Sequence, residues 1–386
     1  MKKAYCVGYG LFLTILLMIS TPNARAAQNQ FWVYIGTNTH PPSKSKGIYL
    51  YRLDATSGAI TDQGVAAELG DPGWQKISSD GKFLYTVGSA ENHSRSIVAA
   101  YRIDSQTGAL QWLNQAATNG EDSTHLDVDP ARSCAVVANY NSGDISVMPI
   151  NADGTVAAPT AIITHTGSSI DPERQTHPYV HSCNIDPTGK FMLACDLGVD
   201  KVFIYRFDAA SRSLSEADPP TVSVAPGSGP RHLSFHPNGK FAYLITEMGG
   251  TVVAYSWDST RGQLHTLQSL STLPPTFKAF NKSAEVRILP NGKFLYASNR
   301  GPDNLAIFAI DPAQGTLKLA GFQSTGGKGP RDFAIDPTGN FLFCANQDSD
   351  SVTVFRIDPA TGALSPLDET MKVPVPICVT FLAVGK

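Results

Sequence analysis

The chain has 386 residues with 30 basic and 33 acidic side chains, and its net charge of −3 offers no basic field for a nucleic-acid partner. Charged residues make up only 16% of it while glycine and proline number 33 and 26, a balance that favours many strands and turns over helices. Six cysteines in a chain of this length exclude a fold held by dense disulfide stapling.

At the N-terminus Lys2 and Lys3 precede the apolar run GLFLTILLMIS (residues 10–20), which gives way to Ala24-Arg25-Ala26. This is the three-part layout of a secretory signal peptide, too short to span a membrane. Cleavage is expected after Ala26, leaving residues 27–386 as a single periplasmic or secreted domain. Cys6 lies upstream of the apolar core rather than at the cleavage site, so no lipid anchor is expected. The five other cysteines, Cys134, Cys183, Cys195, Cys344 and Cys378, are odd in number and sit in apolar patterns, where they read as small buried thiols. The hairpin count sets Cys183 opposite Cys195.

From residue 31 onward the chain repeats itself. FWVYIGTN (31–38) reads as a strand, and then one phrase occurs seven times: YRLDATSGAI from Tyr51, YRIDSQTGAL from Tyr101, MPINADGTV from Met148, YRFDAASRSL from Tyr205, YSWDSTRGQL from Tyr255, FAIDPAQGTL from Phe308 and FRIDPATGAL from Phe355. A second phrase falls between these copies, as in SSDGKFLYTVG from Ser78, DPTGKFMLACD from Asp186, HPNGKFAYLIT from His236 and LPNGKFLYASN from Leu289. Four short antiparallel strands per repeat of about 50 residues is the pattern of a propeller blade. FWVYIGTN resembles a second strand without its first, and PICVTFLAV (376–384) a first strand without its second. Pairing them closes the ring and hides both edges. The expected fold is therefore all-β, a seven-bladed β-propeller of four-stranded antiparallel blades closed by its N- and C-terminal strands. The repeated acidic residue, Asp54, Asp104, Asp208 and Asp358, reads as turn chemistry, and Trp74, Trp112 and Trp257 as blade packing.

The repeat also serves as a ruler. Six residues before the turn proline of each second phrase stand Thr124, His181, Arg231, Ala284 and Arg331, with Gly73 the equivalent in the first copy. Eight residues after the turn glycine stand Ser89, Leu197, Glu247, Arg300 and Gln347, with Tyr140 in the divergent copy. Both positions lie at the same end of the hairpin made by the first two strands, so they ring one mouth of the central channel. His177 and His181 do not form a metal pair on this reading. Four residues of a strand span about 13 Å, and no metal ligand set or cofactor is assigned. His125, His232 and His236 sit beside turns or on alternate strand faces and read as turn or surface hydrogen-bonding groups, with His232 kept among the substrate-contact candidates.

GSGPRHLSFHPNGKFAYLITE, FLYASNRG, ANYNSG and CDLGVDKVFIY resemble the seven-bladed propeller lactonases, the group that includes bacterial 6-phosphogluconolactonase and fungal carboxymuconate cycloisomerase. The resemblance spans the whole mature chain. It implies an active site of one histidine, two arginines and a glutamate: His181 from VHSCNI, Arg231 from GPRH, Glu247 from LITE and Arg300 from SNRG. Arg331, Gln347, Asn299 and His232 are the candidate substrate contacts. Such a ring suits general acid/base opening of a sugar or other small lactone by water, with His181 and Glu247 as the acid–base pair and the arginines as an anion clamp. The expected protein is a monomer acting on a small-molecule lactone. A non-catalytic binding propeller and a cycloisomerase are the alternatives. One departure stands out: TVGSAENHS in the first copy has Gly88-Ser89 where an Asn-Glu-like pair is expected, so that side of the mouth is fitted to something else.

Overall fold

Residues Gln30–Thr37 pair antiparallel with Pro376–Ala383, so the two ends of the chain share a sheet and close a ring of seven blades. The computed structural model describes Met1, Lys3, Ala4 and residues 29–386 apart from Glu91, Asn92 and Ser94. The expected signal peptide and its cleavage site thus lie almost wholly outside the described residues. Blade 1 combines strands 30–68 with the closing strand. Blades 2 to 7 occupy residues 70–117, 123–164, 180–223, 230–271, 283–324 and 330–372 in order, each a four-stranded antiparallel sheet. Among the described residues no helix is long and apolar enough to cross a membrane.

The alternation of each strand buries two faces, because every blade is sandwiched between neighbours. Seven apolar clusters result, one in each gap between blades. Phe191, Leu193 and Ile204 of blade 4 pack on Leu233, Leu244 and Tyr255 of blade 5, for example, and Val33 and Leu53 of blade 1 pack on Phe343 and Val354 of blade 7. All five described cysteines are free and buried. Cys183 and Cys195 are not partners: the register pairs Cys183 with Ala194 and Ser182 with Cys195, and the two thiols enter different clusters. The strand Val180–Ile185 carries an extra residue near its start, which shifts the hairpin count by one.

The two repeated phrases are coupled by contact between blades. Tyr34, Tyr85, Tyr243 and Tyr296 each donate a hydrogen bond of 2.8 to 3.0 Å to the carbonyl of a turn glycine in the next blade: Gly108, Gly154, Gly315 and Gly362. Beside them the phenylalanine of each G-K-F segment lies over such a glycine. The repeated aspartates hold these turns by accepting from the backbone amide two residues on, as Asp208 does from Ala210 at 2.9 Å. Trp257 packs against Phe191 and Phe235 as expected, whereas Trp112 is largely exposed.

A stability prediction follows from this clasp. Gly262 has φ +74°, and a Cβ there would sit 2.2 Å from the Phe191 ring. Gly239 has a similar φ of +69° but open space around it. Gly239→Ala should cost only the left-handed backbone penalty of about 1 kcal/mol, and Gly262→Ala about 2 kcal/mol or more because overpacking is added. Denaturant midpoints of the two variants measured side by side check the difference.

Candidate functional site at the channel mouth

Every innermost strand carries an irregularity at the ring position. The registers slip at Thr124, His181, Arg231 and Arg331, across Ala284 and Glu285, across residues 71–73, and at Ile377 in the closing strand. A β-bulge leaves its extra residue unpaired and re-aims its side chain. Here that side chain turns toward the axis. Asp71, Thr124, His181, Arg231, Arg331 and Ile377 all line one cavity of about 640 Å³ at the mouth.

Bulging also reverses the alternation beyond it, so the next residue of these strands points inward as well. His125 and His232 are therefore buried in the channel rather than at turns or on the surface. Trp74 packs beside both, at ring distances of 4.3 and 4.9 Å, so it faces the channel while also joining the apolar cluster between blades 2 and 3, the packing role expected of it. His181 stands 5.1 Å from His232. His232 Nδ1 meets the Glu285 carboxylate, whose other oxygen lies 3.1 Å from Arg287 Nε. Below the mouth the channel is thus filled by charge-paired side chains. His236 keeps the turn role expected of it, with Nε2 to the Gly292 carbonyl at 2.9 Å.

Glu247 is the hub of the site. Its Oε1 accepts from Arg174 Nη2 at 2.8 Å, and its Oε2 accepts from Arg300 Nη2 at 2.8 Å and Arg231 Nε at 3.2 Å; His181 Nε2 lies 3.9 Å from Oε2. Burial by itself would push this carboxyl up. Arg300 and Arg231, with His181 and Arg174, outweigh it and hold Glu247 well below the usual carboxylate range. Arg231 is brought down to about 9 by burial and by Arg300 and Arg331, and stays charged at neutral pH. Burial, reinforced by Arg231, lowers His181 well below the ordinary histidine range, so its ring is neutral. Among the described residues its buried Nδ1 has no hydrogen-bond partner.

The eight residues singled out in the sequence divide three ways. His181, Arg231, His232 and Arg331 form the cavity wall. Glu247 and Arg300 stand behind it, joined to the wall by the ion pairs above. Gln347 is half-buried at the start of a short 3-10 turn and off the cavity wall, and Asn299 is fully engaged inside blade 6, where its amide bonds Thr272, Ser283 and Asn304. The repeat pattern does not point to Arg174, although it pairs with Glu247 and donates to Tyr140 Oη at 3.1 Å. It enters from the loop before Val180, where no strand register exists to count from.

A model of the seven-bladed β-propeller lactonases matches residues 32–381. The chain belongs to that family. Among the lactonases it is 35% identical over 349 residues to the 6-phosphogluconolactonase of Bacillus subtilis, covering 90% of this chain and 97% of that one. It is 36% identical to the 6-phosphogluconolactonase of Pectobacterium carotovorum over 62% of this chain and 68% of the relative. A solved structure, the periplasmic gluconolactonase of Pseudomonas aeruginosa, superposes with a TM-score of 0.85 at 34% identity, over 92% of this chain and 99% of that one.

Proposed function

We propose that this lactonase opens a sugar lactone or a similar small lactone by attack of water at the channel mouth, and that it does so outside the cytoplasm. The observation that carries the reading is the composition of the cavity wall. Arg331 forms no ion pair among the described residues and stands with Arg231 beside a neutral histidine, in a cavity with ample room for a sugar lactone. The reaction needs each of these. Water yields a proton to His181 as its oxygen attacks the ring carbonyl, and the oxyanion forms against the guanidinium groups of Arg231 and Arg331. Collapse expels the ring oxygen, which takes the proton back from His181. The carboxylic acid so formed releases its proton to solvent, and the resulting carboxylate meets the same two arginines. Glu247 is too acidic to accept that proton near neutral pH. We assign it the positioning of Arg174, Arg231 and Arg300, and from 3.9 Å it stabilises the transient imidazolium of His181.

The N-terminal pattern of residues 1–26 and the likeness to a periplasmic gluconolactonase support an unphosphorylated substrate, since phosphorylated sugar lactones are cytosolic intermediates. The arginines do not require a phosphate, because the reaction itself creates the anion they hold. The test is pH-stat titration with δ-gluconolactone, its 6-phosphate and a panel of aliphatic lactones. Acid release from gluconolactone well above the spontaneous rate is expected, and Arg331→Gln should reduce it about tenfold, the worth of one charge-assisted hydrogen bond. Release at the background rate across the whole panel would overturn the proposal. A marked preference for the 6-phosphate would overturn the substrate assignment alone.

A further inference from the structure

The divergent side of the mouth has its own chemistry. In blade 2 the slip between Gly70 and Trp74 turns Asp71 toward the cavity with φ +46°, and two loops converge on it. His40 arrives from the segment THPPSKSK and His93 from SAENHS, the stretch that departs from the expected pattern. His40 Nε2 lies 2.9 Å, His93 Nδ1 2.5 Å and Ser89 Oγ 2.7 Å from the same oxygen, Asp71 Oδ2. One ligand atom from each of His40, Asp71 and His93 falls within 4.8 Å of the others, and all three residues line the cavity.

We infer that His40, Asp71 and His93 are the protein ligands of a divalent transition-metal ion of the zinc class, with a fourth position open to the cavity. Three observations support this. First, Oδ2 is surrounded by three potential donors although a carboxylate oxygen offers two lone pairs; a cation among the ligand atoms replaces two of those contacts with bonds from imidazole lone pairs. Second, the other carboxylate oxygen is already oriented, since Oδ1 accepts the Thr39 amide at 2.8 Å and the Thr39 hydroxyl at 3.1 Å, the kind of outer support that fixes a ligating carboxylate. Third, two imidazoles and one carboxylate with a position left open is the donor set of a catalytic zinc site. His177 is differently placed, with its ring nitrogens near Thr176 Oγ1 and the Asn141 carbonyl.

The inference concerns metal binding itself and stands whether or not the lactonase reading holds. The protein, stripped with a chelator and free of any affinity tag, is titrated with Zn2+ by calorimetry and with Co2+ by visible absorption. One saturable site is expected, with d–d bands of a four- or five-coordinate N2O centre. His40→Ala and His93→Ala should each weaken binding at least about tenfold. His40 is exposed, so its removal leaves the fold intact, and His177→Ala should leave the affinity unchanged. No saturable binding at micromolar metal, or binding indifferent to both His40→Ala and His93→Ala, would overturn the assignment.

Discussion

Glu247→Gln will lower thermal stability and turnover together. The carboxylate is buried among three guanidinium groups at 2.8 to 3.2 Å, and glutamine leaves them facing one another with an amide between. Removing one partner of a buried ion pair costs about 3–5 kcal/mol, since uncompensated charge is left behind. The pH dependence identifies the cause. Folding depresses the Glu247 pKa, so its contribution is fully present above the unfolded value of about 4.3 and is lost as pH falls toward the folded value. The difference in melting temperature between wild type and variant should therefore be constant from pH 8 to pH 5 and should narrow below about pH 4. A gap that widens on acidification would rule out the arginine hub. Scanning calorimetry at several pH values makes the comparison, and steady-state kinetics with the best lactone of the panel supplies the turnover.

Much of this arrangement was legible in the sequence because the propeller is periodic. A repeat of about 50 residues fixes which strand each segment occupies, and the two unmatched segments at the ends, 31–38 and 376–384, make sense only as partners. The same period placed His181, Arg231 and Arg331 at one level of the channel. It said nothing about the bulges that turn them inward, since an extra residue in every innermost strand leaves the spacing between repeats unchanged. The period alone therefore points His125 to a turn or the surface and sets Cys183 opposite Cys195, one position off the observed register. Asn299, a candidate substrate contact, instead uses its amide to hold its own blade together, bonding Ser283 and Asn304. Arg174, His40 and His93 were beyond reach for a different reason. They come from loops, where position depends on contacts that no period records.

His181→Ala is the variant that separates chemistry from architecture. In contrast to Glu247, among the described residues His181 makes no close ion pair and one of its ring nitrogens has no partner, so its removal should shift the melting temperature by a few degrees at most. Turnover should nevertheless fall by about 10² to 10⁴, the range spanned by a lost general base, while the KM for lactone changes little because Arg231 and Arg331 remain in place. The wild-type pH profile should carry the same signature. A base must be unprotonated to act, and a pKa lowered by burial and by Arg231 moves the acid limb of kcat/KM below the ordinary histidine value of about 6.5, so the rate should be level through neutral pH after subtraction of spontaneous hydrolysis. In the variant that limb should disappear. Added imidazole should restore part of the rate, because the vacated space opens on the cavity. Turnover within about threefold of wild type would instead remove His181 from the proton path and leave the arginines as the whole of the catalytic apparatus.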